Sequence, residues 1–371
     1  MEPIYLDNAA TTRLAPAAAT QIARANDALF YNSAALYPQS VTVKNEIDRA
    51  RRTIQARLDK AMSGNLIFTS GATESNNTVI AGVTTPASVR TDNADVLVLA
   101  GEHSSVHAAA QSICGKNVRE IHLNPDGTCN IAALCNMLSE RTALVIYGLV
   151  NSDTGTIQDH RAIAAHVRKY APRAHIHCDA TQAFCKIPFS AMDGFDTIAM
   201  SAHKIGGPKG IGALWVRRGI NIRPLLYGGG QQPIRPGTEN TPAILGFAAA
   251  VETWDTDANF AHVSGLHTRL ITNLPRGVSV NGINNNPYIT NLALPGIMGQ
   301  TVMNALADRG ILVGLGSACA SKSTVNRTLV AMGIPNQKTK QVLRISFSPQ
   351  TQIADVDTLT RELETVLASL K

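Results

Sequence analysis

Short apolar runs alternate with polar tips along the middle of the chain. Four runs cover residues 96–100, 143–147, 175–178 and 197–200. Helical patterns follow the first three, around residues 105–114, 159–170 and, more weakly, from 182. This alternation predicts an α/β fold with a mostly parallel sheet wrapped by helices. Because ligands of such sheets bind at the carboxyl ends of the strands, the polar tips are expected to converge on one cleft.

The tips carry reactive side chains, namely His103, Asn151, Asp179 and Lys204. Taken singly, His103 resembles an ordinary loop histidine, Asp179 a helix cap and Lys204 a solvated lysine. Their convergence favours chemistry, because pyridoxal phosphate requires a lysine amine and an acidic partner for its ring nitrogen. Lys204 would supply the amine, and Asp179 would keep the ring nitrogen protonated. His103 would stack on the ring and share in proton transfer.

A glycine turn joins the strand predicted at residues 66–70 to a helix that opens with Gly71, Ala72 and Thr73. Such a turn directs backbone N–H groups and the positive end of the helix dipole at one point, which favours a phosphate. The same turn also occurs as a plain connection. If pyridoxal phosphate binds in the cleft, Ser201 and His203 would complete the phosphate site.

The composition is that of a folded protein, since 44% of the 371 residues are hydrophobic and 16% are charged. The net charge of +6 is spread along the chain, so direct nucleic-acid binding is not expected. No apolar run approaches ~18 residues and the amino terminus lacks a signal-peptide pattern, so no membrane association is expected. The six cysteines include no CxxC pair, and no metal site is expected. These features predict a cytoplasmic protein.

Seven motifs, which run nearly from end to end, resemble one family. They are YLDNAATT (5–12), FTSGATESNN (68–77), DATQ (179–182), SAHK (201–204), GGGQ (228–231), RPGT (235–238) and GSACAS (316–321). Together they resemble the cysteine desulfurases of the NifS/IscS type, in class V of the pyridoxal-phosphate-dependent aminotransferases. The resemblance implies fold type I, with a seven-stranded sheet and a smaller α+β domain. It also implies a homodimer that converts L-cysteine to L-alanine and retains the sulfur as an enzyme persulfide.

The resemblance also implies roles by motif position. Lys204 would bind the cofactor covalently, Cys319 would carry the persulfide, and Thr238 would reach the phosphate of the other subunit's cofactor. Arg344 would grip the substrate carboxylate, for which a planar bidentate donor is suited, and Asn32 is assigned to the same substrate site. The implied cofactor contacts within one subunit are Ala72, Thr73, His103, Asn151, Ser152, Asp179, Gln182, Ser201, Ala202, His203 and Lys204.

The composition around Cys319 also indicates a functional role, independently of the resemblance to the family. Three glycines and several small residues surround it between residues 310 and 323, a composition typical of a mobile loop that brings a thiol into a cleft. A lone cysteine among small residues is also often a buried filler. That interpretation suits the other five cysteines. Two of them flank Asp179, and a role for these two in sulfur handling is a secondary hypothesis. The five are Cys114, Cys129, Cys135, Cys178 and Cys185.

Three departures from the family pattern fall close to the chemistry. Ser152 stands where the family has an asparagine that bonds the cofactor's phenolic oxygen, so either Ser152 keeps a weaker bond or Asn151 shifts to make it. Gln232 and Pro233 replace a usual glutamate–arginine pair. The segment 32–37 reads NSAALY and lacks polar groups that are usual near the cleft entrance. These changes put the rate and the substrate preference in doubt.

The two chemical centres, Lys204 and Cys319, are expected on different domains whose relative motion could gate catalysis. A large domain is predicted over residues 13–255 and a smaller one over residues 1–12 plus 256–371. The chain ends at Lys371, whereas housekeeping members of the family carry a further tail that docks the iron–sulfur scaffold protein. That difference favours a dedicated pathway, such as nucleic-acid thio-modification, at least as much as general cluster assembly.

Two other kinds of function stay open at this stage. One is a different class V reaction, such as that of a selenocysteine lyase or an aminotransferase, and the loop cysteine Cys319 argues against the latter. The other is a degenerate sulfur-relay partner subunit, which the changes at Ser152 and Gln232 would suggest and intact Lys204 and Asp179 disfavour. A sulfur-acceptor protein is expected as a partner, and its identity stays open.

Overall fold

The computed structural model describes residues 2–84, 94–283, 285–316 and 325–370. The strands are β1 (Ile4–Tyr5), β2 (Gly64–Thr69), β3 (Asp95–Leu99), β4 (Val118–Ile121), β5 (Thr142–Gly148), β6 (His175–Asp179), β7 (Thr197–Ser201), β8 (Gly212–Arg217), β9 (Ser279–Asn281), β10 (Ile289–Ala293), β11 (Ile311–Leu312) and β12 (Val342–Ser346). The helices are α1 (Pro16–Ala28), α2 (Pro38–Ala56), α3 (Ala72–Thr84), α4 (Ser104–Cys114), α5 (Ile131–Met137), α6 (His160–Tyr170), α7 (Thr241–Glu252), α8 (Thr256–Thr272), α9 (Gly299–Ala307), α10 (Arg327–Ala331) and α11 (Ile353–Ser369).

Seven strands form the central sheet in the order β2-β8-β7-β6-β5-β3-β4. Every neighbouring pair is parallel except the two that involve β8. Strands β3, β6 and β7 are buried along their whole length, as expected for a parallel sheet covered on both faces. The prediction of a mostly parallel, seven-stranded α/β sheet is therefore confirmed.

The predicted helices begin and end close to the expected positions where a cap residue is present. The Asp159 side chain, for example, accepts a hydrogen bond from Ala162 N at 3.0 Å and starts α6. The weak helical pattern from Gln182 is wrong, because residues 181–186 form turns. Cys185 lies there with φ of 63°, in the left-handed region, which a right-handed helix cannot include.

The amino-terminal residues pair with the carboxyl-terminal part of the chain. Strand β1 is parallel to β11, and Asp7 forms a bridge with Ser346 at the end of β12. Strand β12 in turn joins β10 and β9 in an antiparallel sheet. These pairings bring Asp7 and Arg344 to the carboxyl ends of the central strands, while the predicted division into two domains stays a prediction. Among the described helices, none combines the length and the apolar character that crossing a bilayer requires.

Candidate active site

A cleft of about 1030 Å³ lies at the carboxyl ends of the central strands. Most of the predicted site residues line it, namely Ala72, Thr73, His103, Asn151, Ser152, Asp179, Gln182, Ser201, His203, Lys204 and Arg344. Ala202 is fully buried beneath the cleft, and its N–H group donates to Ile211 O at 3.2 Å. Thr238 and Asn32 do not line the cleft and are exposed. Cys319 lies outside the described residues.

The Lys204 amine is held at the inner wall of the cleft. Its Nζ donates to the carbonyl oxygens of Ala9 and Ala10, each at 2.7 Å. Burial and the nearby Arg344 charge lower the pKa of Lys204 to about 8, although Asp179 and Asp7 act in the opposite direction. A lysine with such a pKa holds a substantial fraction of free amine near neutral pH, which is the form that attacks an aldehyde.

The Asp179 carboxylate ends a buried chain of hydrogen bonds. It accepts from Thr181 N at 2.9 Å and from Asn76 Nδ2 at 2.8 Å. The Oδ1 of Asn76 lies 2.9 Å from His177 Nε2, and His177 Nδ1 lies 2.8 Å from Thr197 Oγ1. Burial lowers the pKa of His177 to about 3, so this imidazole is neutral. Both carboxylate oxygens of Asp179 therefore accept a hydrogen bond from within the protein.

His103 is the amino-terminal cap of α4. Its Nδ1 accepts a hydrogen bond from Ser105 N at 3.1 Å and lies 2.9 Å from Ser105 Oγ. Asn76 Nδ2 also donates to Ser105 Oγ, at 2.9 Å. One amide therefore connects His103 and Asp179. These contacts engage Nδ1 of His103 and leave Nε2 as the nitrogen suited to proton transfer in the cleft.

The predicted phosphate turn begins α3. The bond from Ser75 N to Gly71 O, at 3.2 Å, is the first of the helix, so the N–H groups of Ala72 and Thr73 have no intrahelical partner. The turn packs tightly on β8, because a Cβ on Gly212 would lie 2.6 Å from Gly71 Cα. The helix dipole and these donors together suit an anion.

His203 lines the same cleft as the phosphate turn. Its Nδ1 lies 3.1 Å from Thr11 Oγ1. Burial and the charges of Lys204, Lys186 and Lys209 lower the pKa of His203 to about 4, so its ring is neutral. Amine, carboxylate and anion-binding turn lie in one cleft, and this set of donors fits pyridoxal phosphate.

Arg344 lies in the cleft wall opposite the strand ends. Its Nη2 donates to Asp7 Oδ1 at 2.7 Å, and its Nη1 donates to the carbonyl oxygen of Ser152 at 3.0 Å. In the described part of the chain, Nε of Arg344 is buried without a hydrogen-bond partner. The guanidinium is thus held in place and retains an unused donor.

The departure at Ser152 is accommodated through the backbone, since its carbonyl oxygen holds Arg344. The side chain of Asn151 stabilises its own turn, where Oδ1 accepts from Asp153 N at 2.9 Å and from Thr154 N at 3.0 Å. Its Nδ2 donates to Gly101 O at 3.4 Å. An approach of Asn151 to the cofactor would have to break this turn, and the role of either residue toward the cofactor stays a prediction.

The departure at Gln232 also has a structural explanation. This side chain is buried, and its amide bonds both backbone groups of Phe68 on the edge strand β2, at 2.7 Å to N and 3.1 Å to O. Arg51 Nη1 donates to Gln232 Oε1 at 3.1 Å. Three residues later, Arg235 Nε donates to Glu74 Oε1 at 2.9 Å. The segment 232–235 is therefore anchored beside the phosphate turn.

Sequence reasoning missed two residues beside the candidate site, the partly exposed Glu102 and the buried Lys186. Glu102 accepts a hydrogen bond from Gly148 N at 2.7 Å, and burial together with the Asp179 charge raises its pKa to about 8. Lys186 Nζ donates to Gln182 Oε1 at 3.0 Å. Both had a sequence signal, because Glu102 precedes His103 at a strand tip and Lys186 follows Gln182 by four residues.

Comparisons with known proteins agree with this geometry. The family model described as "Aminotransferase class-V" matches residues 4–359. A cysteine desulfurase of Gluconacetobacter diazotrophicus is 34% identical, with 100% of this chain and 95% of that protein covered. A cysteine desulfurase of Bradyrhizobium diazoefficiens is 33% identical, with 96% of this chain and 92% of that protein covered.

Two solved structures are also similar. A "NifS-like protein" has a TM-score of 0.91 at 28% identity, with 99% of this chain and 100% of that chain covered. The structure "SspA in complex with cysteine" has a TM-score of 0.81 at 29% identity, with 94% and 100% covered. Class V aminotransferases and cysteine desulfurases depend on pyridoxal phosphate, which is the cofactor that the cleft fits. The chain therefore belongs to the class V aminotransferase family and, within it, to the cysteine desulfurases.

Proposed function

We propose that this protein converts L-cysteine to L-alanine and retains the sulfur as a persulfide on Cys319. The observation that carries the proposal is the position of the Lys204 amine, which shares one cleft with the Asp179 carboxylate and the Arg344 guanidinium. Two curated relatives that this chain covers almost completely are cysteine desulfurases, which supports the same reaction. When bound, pyridoxal phosphate would withdraw electrons from the α-carbon of the substrate through its protonated ring.

Each residue of the chain has a defined task in this proposal. Lys204 would hold the cofactor through its amine, and Asp179 would face the ring nitrogen and keep it protonated. Arg344 would bind the substrate carboxylate through Nη2, by exchange with Asp7. His103, through Nε2, or the released amine of Lys204 removes the α-proton. Thr73, Ser201 and the backbone of Ala72 would hold the phosphate, with His203 beside them.

The sulfur step belongs to Cys319. As a thiolate it attacks the substrate sulfur, and a new sulfur–sulfur bond forms while the bond from that sulfur to the β-carbon breaks. The bonding electron pair stays with the carbon fragment, which takes up protons and leaves as alanine. The persulfide on Cys319 then passes its outer sulfur to an acceptor protein. The proposal leaves open whether that acceptor serves cluster assembly or nucleic-acid thio-modification.

The Cys319→Ala variant tests this assignment. It should keep the visible absorbance of the bound cofactor and lose sulfide release and persulfide transfer. Cys135→Ala is the matched control, because this cysteine lies on α5 away from the cleft. Full desulfurase activity in Cys319→Ala would refute the role of Cys319. Mass spectrometry of wild-type protein incubated with cysteine should find a 32-dalton gain, the mass of one sulfur, on the peptide that contains Cys319.

The proposal includes a homodimer in which Thr238 reaches the cofactor of the other subunit. Thr238 is exposed. Next to it in the chain, Glu239 Oε2 accepts a hydrogen bond from Ser33 Oγ at 3.0 Å. Leu36, which is 97% exposed, lies three residues beyond Ser33. An exposed apolar group beside a predicted contact residue supports an interface there. Light scattering should give twice the chain mass, and Leu36→Asp should lower it.

Selenocysteine lyase is the alternative within the same family, since selenium and sulfur substrates share the same carboxylate and amine. Parallel assays of alanine production from cysteine and selenocysteine separate the two. A sulfur-relay subunit without catalysis predicts no alanine from either substrate.

The cytoplasmic location and the two-domain division are further parts of the proposal. Cell fractionation tests the location, and limited proteolysis tests the division into domains.

A further inference from the structure

Lys186 is a buried amine that the proposed reaction does not use. Its side chain is only 3% exposed and makes one hydrogen bond to protein in the described structure, from Nζ to Gln182 Oε1 at 3.0 Å. Its Nζ also lies 5.8 Å from the ring centre of Tyr288, whose hydroxyl group is buried without a partner in the described part of the chain. Burying an amine is unfavourable, so this position calls for an explanation beyond packing.

The contact with Lys186 determines the orientation of the Gln182 amide. Gln182 Nε2 donates to the Ala9 carbonyl oxygen at 2.8 Å, which can only accept. The lysine amine donates to the other end of the amide. Reversal of the amide would place an oxygen against the Ala9 oxygen and an NH₂ group against a donor. The two neighbours therefore permit one orientation, with Nε2 toward the Ala9 carbonyl oxygen and Oε1 toward Lys186.

The Ala9 carbonyl oxygen is a shared acceptor. Lys204 Nζ donates to it at 2.7 Å, beside the bond from Gln182. Ala9 is 3% exposed, so a carbonyl left without a donor there would be unfavourable. When Lys204 turns away to bind the cofactor, the bond from Gln182 remains. The release of Lys204 then leaves no buried backbone oxygen without a partner.

We propose that Lys186 is a positioning residue whose amino group holds the Gln182 amide, so that the Ala9 carbonyl oxygen keeps a donor when Lys204 leaves it. This inference rests on the proposed role of Lys204 as the cofactor-binding lysine. Lys186 acts through Gln182, and it does not itself contact the reacting atoms.

The charges around Lys186 are consistent with this role. It faces Lys204 after β7, Arg344 on β12, His203 beyond β7 and Cys185 on its own segment. Burial and the positive charges of Lys204 and Arg344 lower the pKa of Lys186 to about 7. The charged amine can only donate, and the neutral amine can still donate to Gln182 Oε1 while the Ala9 carbonyl oxygen continues to disfavour the reversed amide.

The test is the loading of pyridoxal phosphate into the apo-protein, followed by the visible absorbance that forms. We compare wild type, Lys186→Met, Gln182→Ala and the double variant, with Lys116→Met as an exposed-lysine control. Each single variant should weaken loading about five- to tenfold, the value of one buried hydrogen bond. The double variant should be no weaker than Gln182→Ala alone, because Lys186 acts only through that amide.

Two outcomes would overturn the proposal. One is wild-type loading by Lys186→Met, and the other is a double variant whose loss is the product of the two single losses. A lysine that merely fills the core would lower the unfolding free energy of Lys186→Met without this non-additivity. Lys204→Ala tests the proposed function separately from the role of Lys186. If Lys204→Ala keeps the visible absorbance of the bound cofactor, the proposed function is refuted. If Lys204→Ala loses that absorbance while Lys186→Met loads normally, only the role of Lys186 is refuted.

Discussion

Two parts of the cleft lining, here called the floor and the rim, are built in different ways. The floor, defined as His103, Asp179, Ser201 and Lys204, lies at the carboxyl ends of β3, β6 and β7. The rim, defined as residues 7–10 with Ser152 and Arg344, comes from segments far apart in the chain. The floor is supported by its own strand and helix geometry, as where His103 caps α4. The rim depends on long-range bonds, such as that between Asp7 and Arg344.

This difference between the floor and the rim indicates where amino-acid substitutions should be tolerated. On the floor, the proposed function assigns the chemistry to the side chains themselves, so a change of residue type there is expected to alter activity. On the rim, several contacts use the backbone, as where the Ser152 carbonyl oxygen holds Arg344. A substitution such as Ser152 for asparagine can therefore keep the architecture of the rim while it changes the contacts available to the cofactor. The following predictions test this contrast, from the largest expected effect to the smallest.

The floor should be most sensitive at Lys204. Lys204→Ala should lose the visible absorbance of the bound cofactor and at least about 10³-fold in activity, because no other amine replaces the covalent bond. Lys209→Ala is the matched control, since Lys209 is exposed at the same cleft. Absorbance spectra with alanine production measure both. An unchanged spectrum in Lys204→Ala would show that another residue binds the cofactor.

The rim should affect substrate binding more than cofactor binding. Arg344→Lys should raise KM for cysteine about tenfold or more, because an ammonium group cannot make the planar bidentate contact with a carboxylate. The visible spectrum should stay that of the wild type. Arg327→Lys, at the mouth of the cleft, is the control. A loss of kcat alone, at constant KM, would remove Arg344 from the substrate site.

The segment 232–235 should matter for stability. Gln232→Ala removes the amide that pairs with both backbone groups of Phe68, and should lower the unfolding free energy by about 1–3 kcal/mol. Gln232→Glu keeps the acceptor for Phe68 N and loses the donor to Phe68 O, so its effect should be intermediate. Urea unfolding of the apo-protein measures this, with Gln111→Ala on exposed α4 surface as the control. Equal stability of Gln232→Ala and wild type would contradict the assignment.

The last prediction is a pH dependence of stability at Glu102, whose partial exposure to solvent reduces the size of the effect. Its pKa is about 8 in the folded protein and near 4.5 when unfolded, so between these values the folded state binds a proton that the unfolded state lacks. This contribution to stability therefore falls as the pH rises from about 4.5 to 8. Glu102→Gln, which mimics the protonated side chain, should lack that fall, whereas the exposed-residue control Glu364→Gln should keep it. Thermal unfolding from pH 5.5 to 8.5 measures the difference, and parallel curves for Glu102→Gln and wild type would refute it.

The floor was predictable because it follows from local pattern. An apolar run with a polar tip places its last side chain at the carboxyl edge of a sheet, wherever that run lies in the sequence. This pattern therefore predicts that His103, Asp179 and Lys204 lie together. The parallel sheet was predictable for the same reason.

The sequence by itself determined the α/β sheet and the family, and it predicted Lys204 as the lysine of the candidate site, because strand periodicity and motif spacing are local properties. Only the tertiary structure decided which distant residues support the cleft. No spacing rule indicates that the Gln232 amide pairs with β2, that Lys186 fixes the orientation of Gln182, or that the Ala9 carbonyl oxygen serves both Gln182 and Lys204. These contacts join residues as much as 195 positions apart, and they form only when separate elements pack against one another.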